Sequence, residues 1–161
     1  MWTLMDSPVG ELRIIEQGGA ITSIEFQPFG DVDGRPRGER DDDCPVLGEA
    51  VRQLRAYFAR DLKEFDLPLA PPGTAFQQRV WEQLRGIGYG ETSSYGQIAG
   101  RLGLTGHGAR AVGLANGRNP IPIVIPCHRV VGANGSLTGY AGGLERKQTL
   151  LELEQSAHAL F

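Results

Sequence analysis

The chain has 161 residues, 40% hydrophobic and 22% charged, with a formal net charge of −3. That length supports one sizeable core, or a small domain attached to a larger one. The charge argues against a generally adhesive nucleic-acid binder, no run of 18 apolar residues marks a membrane span, and the N-terminus lacks the basic and apolar segments of a secretory signal. A soluble cytoplasmic protein with no membrane partner is expected. The two cysteines, Cys44 and Cys127, belong to no CxxC pair, and the three histidines are scattered. In a reducing cytosol both thiols are expected free, although the sequence leaves a disulfide between them open. A structural zinc site has no support, and no cofactor is expected.

The first strong signal is β. WTLMDSPVGELRIIEQGGAITSIEF alternates short β-branched and apolar runs with the turn signals SPVG and QGG, which predicts two or three strands of a small antiparallel sheet. Residues 27–44 are rich in Gly, Pro and charge and read as a loop. Val46, Leu47, Ala50, Val51, Leu54, Tyr57 and Phe58 then recur at helical spacing. The PPG of FDLPLAPPGT forces an extended connection and a turn, so a domain boundary is placed here, between 1–70 and 71–161.

Thr74 is a candidate N-cap for a helix burying Phe76, Val80, Trp81 and Leu84. GIGYGET reads as a turn. Ser94 can cap a short helix, YGQIAGRLG, which Gly103 would end. After a break at LTGH comes a second short helix, GARAVGLANG. Two short helices around a Gly-containing turn outline a helix-turn-helix, a pattern shared by many helical hairpins. Gly108, Ala109, Ala111, Gly113 and Ala115 make the second helix bare. That suits either tight helix packing or close approach to a DNA groove, with Arg110 as the one long side chain able to reach in. Charge is uneven too. Residues 1–74 hold 14 acids and 8 bases, residues 75–161 hold 5 and 8, and no acid lies between Thr92 and Leu144. A polyanion is repelled by the first half and tolerated by the second. The chain closes on a helix, LERKQTLLELEQSAHALF, with Leu144, Leu150, Leu151 and Leu153 as its apolar face.

Between these helices lies PIPIVIPCHRVVG. A cysteine reacts as its thiolate, and a free thiol, with a pKa of ~8.5, is mostly protonated at neutral pH. An imidazole can take the proton directly or through a water. On a strand Cys127 and His128 would point to opposite faces; Pro126 suggests an irregular backbone that turns both into one site. An orienting acid must come from Glu145, Glu152 or Glu154, the only acids beyond Cys127. Taken alone, the Cys-His dipeptide favours reading Cys127 as a buried small hydrophobe.

Ile125-Pro126-Cys127-His128-Arg129-Val130 resembles the active-site signature of the O6-alkylguanine-DNA alkyltransferases. FQQRVWEQL, IGYGETSSYGQIA, ARAVGLANGRNP and LTGYAGGLERKQTLLELE are similar to the same family, in its order and spacing. The likeness is dense from Gly73 to Glu154 and looser before residue 70. It implies an α+β fold, with a small N-terminal sheet-and-helix supporting domain and a mainly helical C-terminal domain carrying a winged-helix-like helix-turn-helix. It implies direct-reversal DNA repair: Cys127, held ionised in a cleft wide enough for one everted purine, takes the alkyl group of a flipped O6-alkylguanine, or of O4-alkylthymine, irreversibly and once per molecule. By the same resemblance His128 is the base, Glu154 orients it, Asn119 braces the turns around the site, and Tyr95 donates to the departing guanine. Val130 and Tyr140 bind the base. Arg110 is a finger filling the gap in the duplex, and Ala109, Gly113, Ser94 and Arg118 join it against the minor groove of double-stranded DNA. A monomer is expected, with cooperative binding along DNA left open. Asn116, Ala133 and Ala141 depart from the family's usual residues, which puts alkyl-size preference and rate in question. The rival readings are a non-catalytic alkyltransferase-like lesion binder, a helix-turn-helix regulator and a cysteine hydrolase.

Overall fold

The computed structural model describes residues 1–29, 38–137, 140 and 142–159, with side chains through residue 155. The fold class is α+β, and the chain divides into two units, Met1–Pro72 and Gly73–Phe161.

In the first unit, β1 (Trp2–Met5), β2 (Leu12–Gln17) and β3 (Ala20–Phe26) form an antiparallel sheet in that order. The turn at Ser7–Gly10 and the Gly18–Gly19 pair, both at positive φ, supply the reversals. Helix α1 (Pro45–Phe58) packs on the sheet. Leu47, Ala50, Leu54 and Tyr57 close a core with Met5, Leu12, Ile14, Ile21 and Ile24. The loop expected over 27–44 needs correction in part. Trp2 N–H donates to Glu39 O at 3.0 Å and Asp41 N–H to Trp2 O at 2.9 Å, so this stretch pairs with β1. Cys44 is buried and caps α1 without a side-chain bond. Residues 30–37 lie outside the described residues.

The second unit opens on α2 (Ala75–Arg85). The Thr74 hydroxyl accepts from Gln77 N–H at 3.1 Å, and the Gln77 amide oxygen accepts from Thr74 N–H at 2.9 Å, a reciprocal box that satisfies two of the helix's orphan donors. Ser94 and Gln97 build the same box at α3 (Tyr95–Arg101). Gly103, at φ 71°, turns the chain after α3 in a left-handed conformation costly for other residues. Helix α4 (Gly108–Gly117) then packs back on α3 and α2. Val80, Leu84, Ile98, Ala99, Val112 and Ala115 fill the core of this trio. Trp81 donates its Nε1–H to Ala115 O at 2.9 Å, pinning α2 to α4. A two-residue parallel pair that sequence gave no sign of, β4 (Ser93–Ser94) with β5 (Val130–Val131), ties the start of α3 to the segment after Cys127. Helix α5 (Leu144–Ala159) ends the unit. Its buried stripe is Lys147, Leu150, Leu151 and Glu154; Leu144, expected inside, is 49% exposed at the first helical position. Phe76, also expected inside, is only half-buried.

Gly73 sits where a Cβ would fall 2.3 Å from the Trp81 ring. Gly73→Ala should therefore lower stability by about 1–3 kcal/mol, the usual cost of overpacking, read by denaturant unfolding. An unchanged midpoint would show that the ring has room to move.

Candidate active site

The geometry of the site begins with backbone. Asn119 is buried, its Nδ2 donates to Ile125 O at 2.7 Å, and its Oδ1 accepts from Ile121 N–H at 3.0 Å. Inside this bracket Ile123 stands at φ 74°, flanked by a Val124 N–H bond to Pro122 O at 2.9 Å. A β-branched residue in that region is strained by roughly 1–3 kcal/mol, and the Asn119 bonds hold it there. Pro126, at φ −80° and ψ 65°, is the centre of an inverse γ-turn closed by Cys127 N–H to Ile125 O at 2.7 Å. Cys127–Arg129 then form one turn of 3-10 helix. With three residues per turn, successive side chains diverge by about 120° rather than facing opposite ways.

His128 meets a carboxylate. Its Nε2 lies 2.6 Å from Glu154 Oε2, and both side chains are fully buried. Glu145 and Glu152, the other acids in question, are exposed. Arg129 grips the same carboxylate with Nε at 2.8 Å and a second nitrogen at 3.0 Å, and donates to Ile87 O at 2.7 Å. Gly90 N–H adds a long bond of 3.4 Å to Glu154. Burial pushes the Glu154 carboxyl up, but the hydrogen bonds from His128 and Arg129 and the Arg129 charge outweigh it and bring it to about 2. Glu154 is therefore an acceptor, and His128 Nε2 must carry a proton to meet it. Burial holds the imidazole pKa below its ordinary value despite Glu154. The ring is thus neutral at pH 7, with a bare Nδ1 that finds no hydrogen-bond partner among the described residues.

Cys127 differs from expectation. It is 4% exposed, and burial pushes its thiol up to about 11, against the Asn119 amide, the Tyr140 hydroxyl and the Lys147 ammonium, which all favour the thiolate. The free protein holds a thiol at neutral pH, not the standing thiolate that the sequence suggested, because desolvation exceeds the help of its neighbours.

The other expected residues fall into two groups. Val130 is buried on β5, its N–H donating to Cys127 O. Tyr95 opens α3, half-buried, with its ring against Gly113 of α4. Tyr140 is half-buried, and its hydroxyl favours the Cys127 thiolate. Arg110, Ala109 and Arg118 are exposed on or just beyond α4. The Ser94 hydroxyl is engaged as the α3 cap. Asn116 is on the inner face of α4, donating from Nδ2 to Cys127 O at 3.3 Å. Gly108 and Ala115 are buried, so only part of the small-residue stripe faces outward. Ala133 is exposed in a turn, and Ala141 lies outside the described residues. Two members escaped sequence reasoning, Arg129 and Lys147. For Lys147 a signal existed: 147, 150, 151 and 154 share one helical stripe, so its leucines place Lys147 inside with Glu154. Among the described residues no three His, Cys, Asp or Glu side chains are set to hold a metal ion, and no helix is long and apolar enough to cross a membrane.

Residues 75–156 match the DNA binding domain of 6-O-methylguanine DNA methyltransferase, and residues 1–71 match the ribonuclease-like domain of the same family. The chain belongs to the 6-O-methylguanine DNA methyltransferase family. Methylated-DNA–protein-cysteine methyltransferases from Mycobacterium tuberculosis and Mycobacterium leprae are 51% and 53% identical to it, each match covering 94% of this chain and 90% of the relative. The crystal structure of the Mycobacterium tuberculosis O6-methylguanine methyltransferase superposes with a TM-score of 0.88 at 50% identity, covering 97% of this chain and 93% of that one. Mycobacterium tuberculosis OGT in complex with DNA gives a TM-score of 0.84 at 50% identity, with the same coverage. In this family member the DNA binding domain contains every residue of the Cys127 site described above.

Glu154→Gln should cost about 3–5 kcal/mol at pH 7, because Arg129 loses its buried anion. The native carboxyl is depressed from 4.5 to about 2, so its contribution is full above 4.5 and disappears as pH falls toward 2. Denaturant unfolding should show the gap between native and variant narrowing over that window. A gap independent of pH would contradict the assignment.

Proposed function

We propose that this protein repairs alkylated DNA by direct reversal, moving the alkyl group of a flipped O6-alkylguanine irreversibly to Cys127 and reacting once per molecule. The observation that supports this reading is that Cys127 and His128 share one turn of 3-10 helix, with the imidazole Nε2 committed to Glu154 and Nδ1 left as an acceptor. The reaction starts from a thiol. When the base arrives, His128 Nδ1 takes the Cys127 proton, directly or through a water, and Glu154 supports the resulting imidazolium. The soft thiolate displaces the guanine O6 from the alkyl carbon. Tyr95 donates a proton to the departing base, neutralising its charge. The thioether that remains offers water no good leaving group, which ends the protein's activity. O4-alkylthymine suits the same displacement.

DNA is bound by the second unit as a monomer, through the outer face of α4. The exposed Arg110 fills the space of the extruded nucleotide, and Ala109, Gly113, Ser94 and Arg118 lie against the minor groove. Extrusion costs a few kcal/mol of stacking and pairing, which a wedged cation offsets in part. Contacts of this kind read no sequence, as a search for lesions in any context requires. The backbone carbonyls of Cys127 and Val130 receive the exocyclic amine of the base, with the Val130 side chain as a wall and Tyr140 beside it. The first unit supports the second.

Incubation with duplex DNA carrying labelled O6-methylguanine should place one label per protein on Cys127, and Cys127→Ala should abolish it. Catalytic release of product would indicate a hydrolase, and binding without transfer a lesion binder. Arg110→Ala should slow repair of duplex DNA about tenfold or more, from the loss of part of the extrusion energy, while leaving reaction with free O6-benzylguanine unchanged. Equal losses on both substrates would remove the finger role. His128→Ala should slow transfer by about 10²-fold or more, the worth of a general base, with DNA binding kept. An unchanged rate would mean that another group takes the proton.

A further inference from the structure

Asn116 is 2% exposed on the inner face of α4. Its Nδ2 donates to the Cys127 carbonyl at 3.3 Å. A carbonyl only accepts, so the amide nitrogen must face it, and this fixes where the amide oxygen stands. That Oδ1 is buried and finds no hydrogen-bond partner among the described residues. A buried acceptor left open is costly and calls for an explanation. One turn earlier, Gly113 lets the Tyr95 ring lie on the same helix, 3.7 Å from where a Cβ would stand. Helix α4 thus touches both the turn that carries the nucleophile and the tyrosine.

The acceptors around Oδ1 are already engaged. The Cys127 carbonyl receives the Val130 N–H as well as Asn116 Nδ2, which fills its two lone pairs. The Val130 carbonyl receives the Lys147 ammonium at 2.5 Å, which leaves it no more than one. Asn119 Oδ1 holds the Ile121 N–H, and His128 Nδ1 is needed for the thiol proton. The exocyclic amine of an alkylated guanine brings two hydrogens to this place. Val130 can hold one, while at the Cys127 oxygen the other would be a weak third contact. Asn116 Oδ1 belongs to the amide whose nitrogen sits on that oxygen, and it is the open acceptor beside it.

We propose that Asn116 sets the specificity of the base pocket: its Oδ1 accepts one hydrogen of the exocyclic amine of alkylated guanine, so that a purine with that amine is preferred over one without it. This deepens the alkyl-transfer reading above and rests on it. A site built to meet an N–H leaves its own buried acceptor unpaired when the analogue lacks that group, and the selectivity comes from this loss. The role needs the amide oxygen, whereas the Nδ2 bond holds only the Cys127 turn. No proton or electron moves at Asn116, whose task is to seat the base.

The test compares benzyl transfer to Cys127 from O6-benzylguanine and from 6-benzyloxypurine, the analogue without the amine. Both are followed in the native chain and in Asn116→Leu, which keeps the bulk and removes the acceptor. One neutral hydrogen bond is worth about tenfold. The ratio of the two rates should therefore fall about tenfold in Asn116→Leu, with the loss concentrated on the guanine. Loosening of the Cys127 turn alone would slow both purines alike, and an unchanged ratio overturns the proposal. Should Asn116→Leu not fold, the native amide decides. In Cys127→Ala with carbon-labelled asparagine, saturating O6-benzylguanine should move the NMR resonance of the Asn116 carboxamide carbon further than saturating 6-benzyloxypurine does, and identical responses overturn the proposal. If the native chain takes no benzyl group from O6-benzylguanine and no label from alkylated DNA, the alkyl-transfer reading falls instead, while the carboxamide response still decides the role of Asn116.

Discussion

A carboxylate buried away from water must be surrounded by donors or become protonated, and Glu154 is surrounded. His128 and Arg129 together give it three bonds of 3.0 Å or less. Arg129 is itself tied to Ile87 O, and Gly90 N–H reaches the same carboxylate. One anion thus joins α5, the 3-10 turn and the turn before α3, segments up to 64 residues apart in sequence. The arrangement also fixes chemistry. Because Arg129 offsets the charge of Glu154, burial keeps His128 neutral, and because Glu154 can only accept, the imidazole presents Nδ1 as a base.

The backbone before Cys127 is the second determinant. A strand would have separated the thiol and the imidazole, and a regular helix has no place for Pro126 in its interior. The chain instead uses two three-residue turns in succession, at Ile123 and Pro126, and spends strain at Ile123 that the two Asn119 bonds retain. Helix α4 serves both sides. Its inner face supplies Ala115 to Trp81 and Asn116 to the Cys127 carbonyl, while Arg110 stays in solvent. A helix rich in small residues can do this, since packing consumes Gly108 and Ala115 and leaves Ala109 on the outer face.

What could be read from the sequence followed from local chemistry. Thr74 and Ser94 each precede a Gln three positions on, and a capping box forms within five residues with no help from tertiary structure. The three strands and α1 were likewise legible from period and turn residues. Buried charge was not. Arg129 and Lys147 look like solvated cations in a basic stretch until Glu154, Ile87 and Val130 are brought to them from elsewhere in the chain. The ionisation of Cys127 is illegible in sequence for the same reason, since desolvation depends on everything packed around the sulfur. The β4–β5 pair, two residues a side, is too short to leave any periodicity.

The central claim is that His128 is a neutral imidazole, proton on Nε2 toward Glu154 and lone pair on Nδ1. Nitrogen NMR of the labelled ring at pH 7 tests it directly. The account predicts one protonated nitrogen, coupled across the Glu154 hydrogen bond, and one pyridine-like nitrogen. Two protonated nitrogens, or a proton on Nδ1, would contradict it.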